Sequence, residues 1–135
     1  MSSKILMIEH DTDDRWLTEE TFQTEGLTES IDFLYRPQLT EYLDDPDNRP
    51  PLIIFSLGST FLEDLQLIKH LRALKGFDGI PIVVLGESTH PSLIASCYAA
   101  GATSFIQKPS SHTEALFKIR SFINYWLRTV ELPAI

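Results

Sequence analysis

The chain has 135 residues, 43% of them hydrophobic and 22% charged. A length of this order fits one domain that hides roughly 70% of its unfolded surface, and the mixed composition excludes a disordered chain, a collagen-like repeat and a disulfide scaffold. Eleven Lys and Arg against nineteen Asp and Glu give a formal net charge of −8, which repels phosphate backbones and argues against nucleic-acid binding, since the basic residues are scattered.

The amino terminus reads MSSKILMIEHD, and its apolar stretch is far shorter than a secretory signal needs. No window approaches the ~20 apolar residues of a membrane span. A single cysteine, Cys97, excludes an internal disulfide and fits a reducing compartment. These features predict a cytoplasmic protein with no membrane contact.

In chain order, residues 4–8 (KILMI) are the first strand candidate. Residues 11–24 open with acidic and hydroxyl groups suited to a helix start, although their apolar stripe is thin. Residues 31–35 (IDFLY) are a further strand candidate, and residues 40–43 a short helix. The proline-rich stretch 44–51 (DDPDNRPP) is a connection inside a domain. Residues 52–55 (LIIF) and 80–85 (IPIVVL) are nearly continuous aliphatics, as in strands buried on both faces of a parallel sheet. Between them Phe61, Leu65, Ile68, Leu71 and Leu74 form a helical stripe. Pro91–Ala100 is helical and ends at Gly101, a natural C-cap. Residues 103–106 (TSFI) form the last strand. Leu116, Ile119, Ile123, Trp126 and Val130 mark a last helix.

Strand followed by helix, five times over, predicts an α/β fold. Right-handed crossovers favour a flavodoxin-like (βα)5 doubly wound parallel sheet in the order 2-1-3-4-5, with helices on both faces. Ligands in such folds sit at the carboxyl ends of the strands. The positions to inspect are Glu9 to Asp11, Ser56 to Ser59, Gly86 to Ser88 and Gln107 to Pro109.

The segments ILMIEHDTDD, IPIVVLGES and YAAGATSFIQKP, at the intervals where they fall, resemble the receiver domain of bacterial two-component response regulators. The match covers nearly the whole chain. The tail NYWLRTVELP further resembles single-domain regulators that partner bacterial phytochromes. The resemblance implies a pocket in which two strand-1 acids and a strand-3 aspartate bind Mg²⁺. That aspartate also takes the phosphoryl group. A strand-4 hydroxyl and a strand-5 lysine hold the phosphoryl oxygens, and a strand-5 aromatic reports the switch.

Carried over residue by residue, the first acid falls on Glu9 and the second on His10. The acceptor falls on Ser56 and the hydroxyl on Gly86. The lysine is retained as Lys108, before Pro109, and the aromatic as Phe105. The loop after Ser56 has Ser59-Thr60 and Asp64 where the family shows a Met-Pro turn and a Gly. A carboxylate attacks phosphorus as it stands, whereas a serine hydroxyl must lose a proton and needs a base. Mg²⁺ wants oxygen ligands, so Glu9 with a nitrogen from His10 is a poor site. Gly86 removes one bond to the phosphoryl group, and charge-assisted bonds of this kind contribute ~1.5–3 kcal/mol.

The expectation is a stand-alone pseudo-receiver spanning residues 1–135, with no separate output domain. It is expected not to be an enzyme, to bind Mg²⁺ weakly or not at all, and to need no cofactor. It would act through contacts with a histidine kinase or another signalling protein, or as a homodimer through helix 4, strand 5 and helix 5. Phe105, Tyr98 and Trp126 are the candidate switch and interface aromatics. Alternatives are a phosphorelay element with an unusual acceptor, such as Ser56 or a nearby acid, and a small enzyme on the same scaffold. A Ser56–His10–Glu9 triad is disfavoured because the context IFSLG lacks a nucleophile elbow and adjacent side chains should diverge. Lys108 reads as a salt-bridge partner of Glu9, with an anion clamp as the other reading. Cys97 reads as a buried thiol, and His70, His90 and His112 as solvated helix positions.

Overall fold

The computed structural model describes residues 4–27 and 30–133. Five parallel strands run β2-β1-β3-β4-β5 across one sheet. They are β1 (Ile5–Ile8), β2 (Ile31–Leu34), β3 (Ile53–Ser56), β4 (Ile82–Gly86) and β5 (Ser104–Gln107). The helices are α1 (Thr12–Thr24), α2 (Leu39–Asp44), α3 (Phe61–Ala73), α4 (Pro91–Ala100) and α5 (His112–Trp126), with a 3₁₀ turn, Arg36–Gln38, before α2. The predicted flavodoxin-like order is the observed one. The strands start and end within two residues of the expected bounds. Val130 lies past the end of α5, where the N–H groups of Thr129 and Val130 both turn back to the Tyr125 carbonyl.

Strand alternation sorts the core into two layers. Leu6, Ile8, Ile53, Phe55, Ile82 and Val84 face one side and pack with Leu39, Ile68, Leu71 and Cys97 of α2, α3 and α4. Ile5, Met7, Ile54 and Val83 face the other and pack with Phe22 of α1 and Phe122 and Ile123 of α5. Each fully buried aliphatic contributes ~1.5–3 kcal/mol. The apolar tail belongs to the second layer: Trp126, Leu127 and Leu132 fold against it. Arg128 secures the turn by bonding the Glu25 carboxylate and carbonyl.

Local chemistry places the elements. Asp11 caps α1, its carboxylate accepting from the N–H groups of Asp13 and Asp14 at 2.9 and 3.0 Å. The Asp14 N–H holds this carboxyl below its usual range, with Asp13 adding to it against some burial. Gly101 ends α4 at φ 121°, and a β-carbon there would meet the Arg72 side chain at 3.1 Å. Arg72 donates to the carbonyls of Gly101, Phe77, Asp78 and Ile80 and so fastens the loops before β4 and β5. His90 sits one residue before α4 and caps it, its Nδ1 accepting from the Ser92 N–H. His70 and His112 are exposed helix residues.

Candidate functional site

The carboxyl ends of β1, β3, β4 and β5 converge at one edge of the sheet. Ile8 pairs with Phe55, Ser56 with Leu85, and Gly86 with Gln107. Glu9 therefore emerges beside Ser56, and Lys108 follows directly after the Gly86 row, its N–H bonded to the Gly86 carbonyl at 2.8 Å.

Glu9 is fully buried. One carboxylate oxygen accepts from the backbone N–H groups of His10 and Asp11 at 3.0 and 3.2 Å. The other lies 3.1 Å from Lys108 Nζ. Lys108 also reaches Asp14 Oδ2 at 3.1 Å, so one ammonium joins β1, α1 and β5. Burial alone would push that ammonium down. Attraction to Glu9 and the bonds to Asp14 and Glu9 outweigh it and hold Lys108 above the ordinary lysine value. The Asp14 partner was not anticipated from sequence, where Asp13 and Asp14 read as helix-start acids.

The His10 ring is 57% exposed, with Nδ1 3.4 Å from Glu9 Oε2. The two side chains thus diverge less than adjacent positions would suggest. Ser56 is 2% exposed, and its hydroxyl has no hydrogen-bond partner among the described residues. No base is set against it, so Ser56, His10 and Glu9 do not form a triad.

At the end of β4 the Phe105 ring fills the space beside Gly86. A β-carbon built on Gly86 would stand 2.7 Å from Phe105 Cζ and 3.2 Å from Leu57 Cδ1. Phe105 packs on the first core layer, and its N–H donates to the Tyr98 hydroxyl at 3.1 Å. Tyr98 is itself 47% exposed. Trp126 is half-buried, edge-on to Tyr125 with ring centroids 5.1 Å apart.

One charged pair at this edge escaped the sequence reading. Arg36 reaches from the turn after β2 and pairs with Asp64, which is fully buried in the first turn of α3. The available signal was Asp64's place on the same helix face as Ile68 and Leu71. An acid on a buried stripe needs a cationic partner.

A cavity of about 480 Å³ lies between α1 and α5. Its floor is apolar, including Met7, Phe22, Ile54 and Ile119, while Thr18 and Ala115 leave it room. Glu9, Asp14 and Lys108 line it but are bonded to one another.

The residues present do not suit the hard cation that the receiver resemblance implies. Glu9 is committed to Lys108 and two backbone N–H groups. The other two positions that the resemblance assigns to the metal hold an imidazole and a hydroxyl, while the nearby Asp11 carboxylate caps α1 and that of Asp14 is bonded to Lys108. Among the described residues no three His, Cys, Asp or Glu side chains gather as a metal would require.

No protein-family model matches the chain. Response regulator Rcp1 of Synechocystis sp. is 26% identical over 139 residues, spanning 96% of this chain and 92% of that protein. The phosphorylated cyanobacterial phytochrome response regulator RcpA superposes with a TM-score of 0.86 at 21% identity, covering 99% of this chain and all of that one. The Mn²⁺-bound form of Rcp1 gives 0.81 at 23%, over 98% of this chain and all of that one. Response regulator RPA3017, of red light signalling in R. palustris, gives 0.80 at 19%, over 99% and all. The expected likeness to receiver domains is thus present in sequence and in fold. Among the described residues no helix is long and apolar enough to cross a membrane.

Proposed function

From the premise that this chain is related to response-regulator receiver domains, we propose that it works in two-component signal transduction as a single pseudo-receiver that is not switched by phosphorylation. The observation that carries this reading is Ser56: the acceptor position holds a buried hydroxyl with no base bonded to it. A serine in that state has no route to lose its proton during attack. The surrounding groups point the same way. Lys108 is engaged by Glu9 and Asp14, and Phe105 occupies the space that a strand-4 hydroxyl would need.

With its pocket silent, the protein acts in the cytoplasm through protein contacts and not through catalysis. Its partner is a histidine kinase or another signalling protein, or a second copy meeting it through α4, β5 and α5. Exposed aromatics support that surface: Tyr98 on α4, and Phe117 and Tyr125 on α5, are 47%, 70% and 53% exposed. Light scattering reads the homodimer, with twice the monomer mass expected.

The pocket reading is tested by adding Mg²⁺ and beryllofluoride while following tryptophan fluorescence. Neither of the two tryptophans, Trp16 and Trp126, should report a change. A saturable, Mg²⁺-dependent change would favour the second reading, a phosphorelay element with an unusual acceptor. The enzymatic reading finds less support, because Glu9, Asp14 and Lys108, three of the charged groups lining the α1–α5 cavity, are bonded to one another.

A further inference from the structure

We infer that the Arg36 guanidinium is a resident cation at the edge of this pocket, and that it keeps a divalent metal out over and above the loss of carboxylates. This deepens the pseudo-receiver reading and rests on it.

Asp64 is where the argument starts. It is fully buried, and a buried carboxylate left alone costs several kcal/mol. Arg36 answers that charge directly. The other Asp64 oxygen accepts from the Gly58 N–H at 2.8 Å. Arg36 Nη1 donates to Thr60 Oγ1 at 2.8 Å. The guanidinium therefore fastens the turn after β2 to the loop between β3 and α3, two to four residues past Ser56.

Its position matters as much as its bonds. A β-carbon built on Gly58 would stand 3.1 Å from Arg36 Nη2 and 3.8 Å from His10 Cε1. Arg36 thus flanks the same glycine as the residue that replaces the second metal-binding acid, with Asp64 Oδ2 also 3.9 Å from that point. Gly58 leaves it the room. The pair is neutral as a whole but oriented: the Asp64 side chain is 0% exposed and the Arg36 side chain 33%. The member of the pair open to solvent is the positive one. Arginine cannot shed its charge in a protein, and a dication brought beside it meets repulsion in a partly desolvated setting.

The consequence is that restoring the two acids does not by itself restore a metal site. Mn²⁺ binding is measured by the loss of the free-ion paramagnetic resonance signal. Three proteins are compared: the natural chain, H10D/S56D and H10D/S56D/R36M/D64N. The D64N change keeps a side-chain acceptor for the Gly58 N–H, and together with R36M it removes both charges. The quadruple variant should bind Mn²⁺ at least about tenfold more tightly than the double, a difference of ~1.4 kcal/mol. Should the quadruple variant fail to fold by circular dichroism, H10D/S56D/R36Q/D64N, which also removes both charges of the pair but keeps two polar side chains there, gives the same comparison. Equal affinities with and without Arg36, including no binding by either, overturn the inference. Binding by the natural chain, which keeps Arg36, overturns the inference as well; the pseudo-receiver reading fails separately, on a phosphoryl adduct of the natural chain, so the two failures are distinct.

Discussion

Phe105 stands where a side chain at residue 86 would have to go. Its Cζ is 2.7 Å from the β-carbon position on Gly86, closer than real β-carbons approach other atoms. The glycine and the inward ring are two halves of one arrangement. Gly86→Thr should force the ring outward and cost ~1–3 kcal/mol by overpacking, read from urea denaturation. Adding Phe105→Ala should relieve part of that cost, giving a coupling of ~0.5–3 kcal/mol in a double-mutant cycle. Strictly additive costs would show that ring and side chain do not compete.

Lys108 balances a carboxylate with no exposure to water. Lys108→Met should cost ~3–5 kcal/mol, because Glu9 is left buried and uncompensated. Lys108→Met with Glu9→Gln should cost clearly less. The pH dependence follows from the raised ammonium. Its contribution is complete below the unfolded lysine value of ~10.4 and is lost as pH rises through the higher folded value. The natural protein should lose stability above that pH, and Lys108→Met should flatten this alkaline slope. An unchanged slope would mean that the network does not govern it.

Arg72 serves four backbone carbonyls that no other side chain reaches among the described hydrogen bonds. Arg72→Met keeps most of the stem and removes the donors. Bonds from charged groups contribute ~1.5–3 kcal/mol each and overlap in one guanidinium, so a total loss of ~2–4 kcal/mol is expected in denaturant titration. Amide hydrogen exchange should quicken in the loops before β4 and β5. A loss under ~0.5 kcal/mol would contradict this assignment.

Cys97 lies against α3 with no exposure to water. Burial, and then the negative charge of Asp64, push its thiol above the ordinary value. A thiol in that state is inert. Ellman's reagent should leave the native protein untouched and react with one thiol per chain in denaturant. Rapid labelling of the native protein would place Cys97 elsewhere.

The sheet was legible because buried parallel strands need nearly continuous aliphatics, and LIIF and IPIVVL are runs of that kind at strand length. Gly101 announced the end of α4 through a backbone that only glycine adopts without strain. The strand-end pocket followed from the same order, including the Lys108–Glu9 contact. Long-range charge pairing was not legible. Asp14 could reach Lys108 only once α1 and β5 were placed, and Arg36 sits in a turn whose direction no local pattern dictates. Asp64 offered a clue, as an acid on an apolar stripe, but not its partner. The end of α5 was misjudged because Val130 continues the helical spacing, while the packing of Leu127 and Leu132 turns the chain back.

The most direct test of the central claim is the intact mass of the protein after incubation with Mg²⁺ and acetyl phosphate. A pocket that cannot accept phosphate leaves the mass unchanged, while a Ser56→Asp variant serves as the comparison for residual capacity. A stoichiometric gain of ~80 Da, one phosphoryl group, on any residue of the natural chain would contradict the account.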